Sequence, residues 1–108
     1  MGVLYHGNYF TLFEIGRTEL LRTHGYTYRE VEESGLYGVV VKAECSYHKP
    51  ARYDDLLTIR TLVKRRTRVK IEYEHQVLRG SELLATGHIT LAFVDRNGNI
   101  QRVPDWND

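Results

Sequence analysis

The residues best suited to chemistry crowd into the first ten positions, MGVLYHGNYF. Gly2 and Gly7 bracket a Tyr5-His6 pair, and Asn8 and Tyr9 follow directly. Asn8 is a good N-cap, because its side-chain oxygen accepts from the free amides of a first helical turn. Those amides and the positive end of the helix dipole together favour negative charge developing on an oxygen. Glu14 and Arg17 stand three apart, the spacing of an ion pair on a helix surface. Glu14 is also the nearest following carboxylate, about 9 Å along the helix from the cap at 1.5 Å per residue. Further on, KRRTRVK (64–70) holds five basic residues. It reads as a cationic rim on a hairpin, or as a solvated turn that guards a sheet edge with charge.

Other constellations are weak. The histidines at 6, 24, 48, 75 and 88 lack metal-ligand spacing, so no metal is expected. Asp54-Asp55 follows Pro50 in a turn and reads as capping or solvating it. Cys45 alternates with charged residues in a strand pattern and reads as core rather than nucleophile. No glycine loop is placed to cradle phosphates, and no cofactor is implied.

The elements that must position these residues follow from periodicity. From Asn8, apolar residues recur at Phe10, Phe13, Leu20 and Leu21, with Leu12 and Ile15 widening the stripe, until Gly25 stops the run. A helix over about 8–24 is expected, apolar on more than one face and therefore wrapped by other structure. Gly16 inside it points to a close neighbouring backbone. TYREVEESG reads as a short helix capped by Thr27 and ended by Gly35. The period then changes to two. Val39, Val41, Ala43, Cys45 and Tyr47 form one inward set, Leu57–Val63 a second, Val69–Val77 a third and Leu83–Phe93 a fourth. Short connections, ending in the Asn97-Gly98 turn, give an antiparallel meander. The fold class is α+β, in a single domain over 1–108.

Composition bounds the partners. With 108 residues, 27% charged, and a net charge of +1, the balance points to neither nucleic acid nor membrane. No apolar run nears the roughly 18 residues of a spanning helix. One cysteine allows no internal disulfide and fits a reducing cytoplasm.

A helix followed by a sheet that can wrap it is the layout of the hotdog fold. MGVLYHGNYFTLFEIGRTELLR closely resembles the loop and helix of the 4-hydroxybenzoyl-CoA-thioesterase-like acyl-CoA thioesterases. YHKPARYDDLLTIRT resembles the junction between two of their strands, and LLATGHITLAFVDRNGNIQRVP their final strand and tail. The resemblance implies hydrolysis of an acyl-CoA thioester. The backbone amide of His6 would be the oxyanion donor, near the loop glycine Gly2. Tyr5, Asn8 and Tyr9 would line the acyl pocket or fix the loop, and Arg66 and Arg68 would hold CoA phosphates. It also implies a homodimer or homotetramer with its seam near Val39–Tyr47. Two departures stand out. The family begins with a strand of about ten residues, and its catalytic Asp precedes the glycine matched by Gly2 by three. That Asp would fall two residues ahead of Met1, which then reads as an internal methionine of an Asp-x-Met-Gly loop. Two other readings compete. One is a non-catalytic hotdog module that binds acyl-CoA or an acyl carrier. The other is a nucleic-acid-binding β-domain using the basic hairpin with Tyr73 or Tyr37 as stacking platforms.

Overall fold

The computed structural model describes residues 2–5 and 7–104. The expectations placed on Met1 and His6 therefore lie outside the described residues. Eight elements follow one another: β1 (Gly2–Leu4), α1 (Tyr9–Thr23), α2 (Tyr28–Glu33), β2 (Tyr37–Tyr47), β3 (Leu56–Arg66), β4 (Lys70–Arg79), β5 (Glu82–Val94) and β6 (Ile100–Gln101).

Both helices start and stop where their caps dictate. The Asn8 carboxamide accepts from the Thr11 amide at 3.2 Å, opening α1. At its far end Gly25 takes φ +87°, and the Tyr26 amide returns to the Leu21 carbonyl at 3.2 Å. Thr27 caps α2 through the Glu30 amide at 3.2 Å, and Gly35 ends it at φ +94°.

The strands form one antiparallel sheet in the order β1-β3-β4-β5-β2, with β6 added to β5. The expected meander holds for β3, β4 and β5 but fails for β2. Strand β2 pairs with β5, from Tyr37↔Val94 to Tyr47↔Ala85, and so lies at the opposite edge from β3. The segment 48–55 is thus a crossover rather than a hairpin loop. Residues Gly2–Leu4, expected as a loop, form a short strand against Leu56–Thr58. Beyond Thr58 that edge of β3 has no partner strand among the described residues. A bulge between Val40 and Lys42 also shifts the phase of β2. Gly38 and Val40, not Val39 and Val41, therefore share the helix side with Ala43, Cys45 and Tyr47.

Helix α1 lies across the sheet with one face covered. Leu12, Phe13, Gly16, Arg17 and Leu21 are buried, whereas Phe10 is 46% exposed, so the helix is not wrapped all round. The close approach at Gly16 is to side chains rather than backbone: a Cβ there would fall 2.3 Å from Thr61 Oγ1. Gly87 does the same for Phe13, whose ring would sit 2.4 Å from an added Cβ. Apolar residues gather in two clusters, one around Phe13, Leu57 and Val77, the other around Leu21, Ile71 and Phe93.

Between them lies a buried polar pair. His75 is fully buried and Arg17 is 7% exposed. Arg17 Nη1 donates to His75 Nε2 at 3.3 Å. That leaves Nδ1 protonated, so it donates to Thr61 Oγ1 at 2.9 Å. The Phe13 ring stacks on the imidazole at 4.9 Å and 9°. Burial first, then the Arg17 charge and His88, push the His75 pKa down to about 3. The imidazole is neutral, as an acceptor facing a guanidinium must be.

Candidate active site

Two segments meet at the start of α1. The first is β1 and its extension through Tyr5, Gly7 and the Asn8 cap. Gly7 has φ +88°, a left-handed turn that a side chain would strain, and it swings the chain into the helix. The second is the crossover 48–55. The Tyr5 amide donates to the Asp55 carbonyl at 2.8 Å, and the Asp54 amide donates back to the Tyr5 carbonyl at 2.8 Å. Tyr5, Tyr9 and Tyr47 then cluster, with ring centroids 5.0 Å apart for Tyr5–Tyr9 and 5.4 Å for Tyr9–Tyr47. With His48, Lys49, Pro50 and Ala51 they line an open cleft of about 430 Å³ beside the N-terminal turn of α1.

The chemistry of this cleft is that of a flat, largely apolar binding site. Burial, then the neighbouring Tyr5, Cys45 and Tyr47, raise the Tyr9 phenol, so it stays protonated. Burial raises the Cys45 thiol too, the wrong direction for a nucleophile. The cleft lining carries no carboxylate, and those bonded to the segments around it are already engaged. Asp55 accepts from Arg79 Nη1 and the Arg52 amide, both at 2.8 Å. Glu82 accepts from Arg79 and, at 3.1 Å, from Lys49 Nζ. What the described residues offer a reacting carbonyl is thus the helix terminus.

Of the residues singled out in the sequence, Tyr5, Asn8 and Tyr9 come together here. Asn8 acts as the cap, with its side chain committed to Thr11. Gly2 opens β1 opposite Thr58, with ordinary room for a Cβ, so only its backbone can take part. Arg66 and Arg68 lie at the other end of β3. Thr58 to Arg66 spans about 26 Å at roughly 3.3 Å per residue. Arg66 also donates to the Pro104 carbonyl, and the Arg68 carbonyl accepts the Val103 amide at 2.7 Å. Glu14 and Arg17 do not pair. Arg17 turns inward to His75, while Glu14 stays exposed beside a second cavity of about 410 Å³ with Tyr28, Glu32 and Val40. Tyr73 offers no stacking platform: it is 5% exposed, and burial raises its phenol. Tyr47, Lys49 and Asp55 were not singled out as site residues. Tyr47 carried a signal, as the last inward residue of its strand.

Among the described residues no His, Cys, Asp or Glu cluster is gathered as a metal site, and no helix is long and apolar enough to cross a membrane.

One long helix laid on a single curved antiparallel sheet, its capped N-terminus opening on an aromatic cleft, defines a hotdog-fold domain. The chain belongs to the thioesterase superfamily, whose family model matches residues 1–86. Its class of chemistry is thioester hydrolysis. The chain is 36% identical over 95 residues to the acyl-CoA thioesterase YbgC of Haemophilus influenzae, covering 87% of this chain and 70% of that protein. The crystal structure of a "probable thioesterase" from Bartonella henselae superposes with a TM-score of 0.84 at 34% identity, covering 95% of this chain and 86% of that one. A DHNA-CoA thioesterase from Staphylococcus aureus superposes at 0.85 with 27% identity, covering 91% and 67%.

Proposed function

We propose that the protein hydrolyses an acyl-CoA thioester to a free acid and CoA. The observation that carries this reading is the α1 terminus, turned by Gly7 and capped by Asn8, beside the cleft of Tyr5, Tyr9 and Tyr47. In it the thioester carbonyl lies at the helix terminus, and the family resemblance gives the role of oxyanion donor to the His6 amide. Losing such a donor costs about 2.7–4 kcal/mol of transition-state stabilisation. A carboxylate then activates water, a step adding on the order of 10²–10⁴-fold. That role falls to the Asp that the family pattern sets two residues ahead of Met1, because Asp55 and Glu82 are held in ion pairs and Glu14 faces another cavity.

The reading also needs two copies. The basic hairpin stands too far from the cleft of its own chain for Arg66 or Arg68 to hold the phosphates of a CoA whose thioester sits there. Strand β2 is a free edge with Val39, Val40 and Val41 exposed. Antiparallel pairing of two such edges about a two-fold axis sets the Tyr37 end of one against the Tyr47 end of the other. Each cleft then meets its partner's hairpin. The enzyme works in the cytoplasm, without a resident cofactor.

The test compares kcat/KM on benzoyl-type and short-chain CoA thioesters for residues 1–108, for an N-terminally extended chain, and for the extended chain with that Asp changed to Asn. Higher activity in the extended chain and at least a tenfold loss on Asp→Asn are expected. Equal activity in all three would move the general-base role to Glu14 or His6.

A further inference from the structure

Asp55 joins three parts of the molecule that are far apart in sequence. Its carbonyl receives the Tyr5 amide, so the β1–β3 ladder runs one residue past Leu4↔Leu56. Its carboxylate receives the Arg52 amide and Arg79 Nη1, each at 2.8 Å. Those donors, the Arg52 amide first, hold its carboxyl below the usual range. Arg79 in turn donates to Glu82 at 3.3 Å, and Glu82 accepts from Lys49 on the cleft rim at 3.1 Å. The Arg79–Asp55 pair is the least exposed ion pair among the described residues, at 33% and 20% of side-chain surface.

The backbone beside it is strained. Asp54 takes φ +65°, the only left-handed non-glycine residue among those described. Such a conformation persists only where its surroundings over-determine it. Here the turn must hold that shape for the Asp54 amide to reach the Tyr5 carbonyl while the Asp55 carbonyl takes the Tyr5 amide. Tyr5 is thereby pinned at both its N–H and its C=O, three residues before the helix cap. From α1 the entry receives only the Tyr9 ring, 5.0 Å from that of Tyr5, and the Asn8 cap.

We infer that Asp55, clamped by Arg79, is a positioning residue for the catalytic loop: it sets Tyr5, and through Tyr5 the segment that delivers the helix terminus to the cleft. The clamp touches neither substrate nor reacting atom and acts through the segment that presents the helix terminus, so its loss is expected chiefly in kcat. A misplacement of about 1 Å in such a site can lower the rate on the order of a hundredfold. The kinetic arm of its test rests on the thioesterase reading above, whereas the structural arm does not.

Three variants are compared in the most active of the chains named above. Asp55→Ala removes the clamp. Asp55→Asn keeps an acceptor for the Arg52 amide and Arg79. Val31→Ala is a destabilised control in α2, packed in the other apolar cluster. Each is assayed well below its Tm. Asp55→Ala is expected to lower kcat about tenfold or more with KM within about twofold, and Asp55→Asn to recover kcat to within about threefold of the parent. Amide exchange at Tyr5 should quicken about tenfold in Asp55→Ala alone. A kcat in Asp55→Ala no lower than in Val31→Ala, a change confined to KM, or unaltered exchange at Tyr5 would overturn the inference. If no chain turns over any acyl-CoA, the thioesterase reading fails, and exchange at Tyr5 alone decides the clamp.

Discussion

The buried His75 makes stability depend on pH in a defined window. In the unfolded chain its pKa is near 6.5, and in the fold it is pushed down to about 3. The unfolded state therefore takes up a proton as pH falls below 6.5 and the folded state does not, so acid favours unfolding. Stability is full above about pH 7, declines from 6.5 and levels near 3. At pH 5 the unfolded imidazole gains about 2 kcal/mol from protonation, at about 1.4 kcal/mol per unit. That figure holds for any folded pKa well below 5. Lowered carboxylates such as Asp55 and Asp95 add their own acid sensitivity only nearer pH 4, below the assayed range of pH 7.5 to 5. The assay is urea unfolding of the parent and His75→Gln at pH 7.5, 6 and 5. The variant is less stable at pH 7.5, because Arg17 and Thr61 lose a matched partner. Between pH 7.5 and 5 the parent is expected to lose about 2 kcal/mol more than the variant, or roughly 8 °C in Tm. Equal losses in the two proteins would show that His75 is not held neutral, and the donor arrangement deduced for Arg17, His75 and Thr61 would fall with it.

Gly87→Ala places a methyl group against the Phe13 ring and should cost about 1–3 kcal/mol by denaturant unfolding, with Phe13→Leu in the same chain recovering part of it. Asn8→Ala removes the cap of α1 and should cost about 1 kcal/mol, whereas Asn8→Asp should keep most of that stability. Val40→Lys at the bulged edge of β2 is expected to give a monomer by light scattering at micromolar concentration where the parent is a dimer; a parent that is itself monomeric would remove the two-copy site.

The local rules were legible in the sequence and the long-range ones were not. Asn8, Gly25, Thr27 and Gly35 mark both helices because capping is decided within a few residues. Alternation put His75 on the inward face of β4, but no pattern within one strand names its partners Arg17 and Thr61. Arg17 read as the surface partner of Glu14 because three-residue spacing permits that pair. The sheet face beneath it offers a buried acceptor instead. Asp55 does cap its turn, through the Arg52 amide, as its place after Pro50 implies. Its ion pair comes from Arg79, twenty-four residues away. Alternation likewise finds β2 and β3 as strands without showing that they stand at opposite edges.

That separation sets the order in which the sheet can be completed during synthesis. Strands β3, β4 and β5 can zip together as successive hairpins while the chain is emerging. Strand β2 is made before all three, yet its partner β5 ends fifty-seven positions after Tyr37, at Val94. Until then Val39, Val40 and Val41 have no ladder to join and stay available to other nascent chains. Closing so long a loop carries an entropic cost that hairpins escape, and non-local pairing of this kind slows folding. A chain of which only the residues before 82 have emerged would hold the β3–β4 hairpin, but its β2 would still be searching for a place.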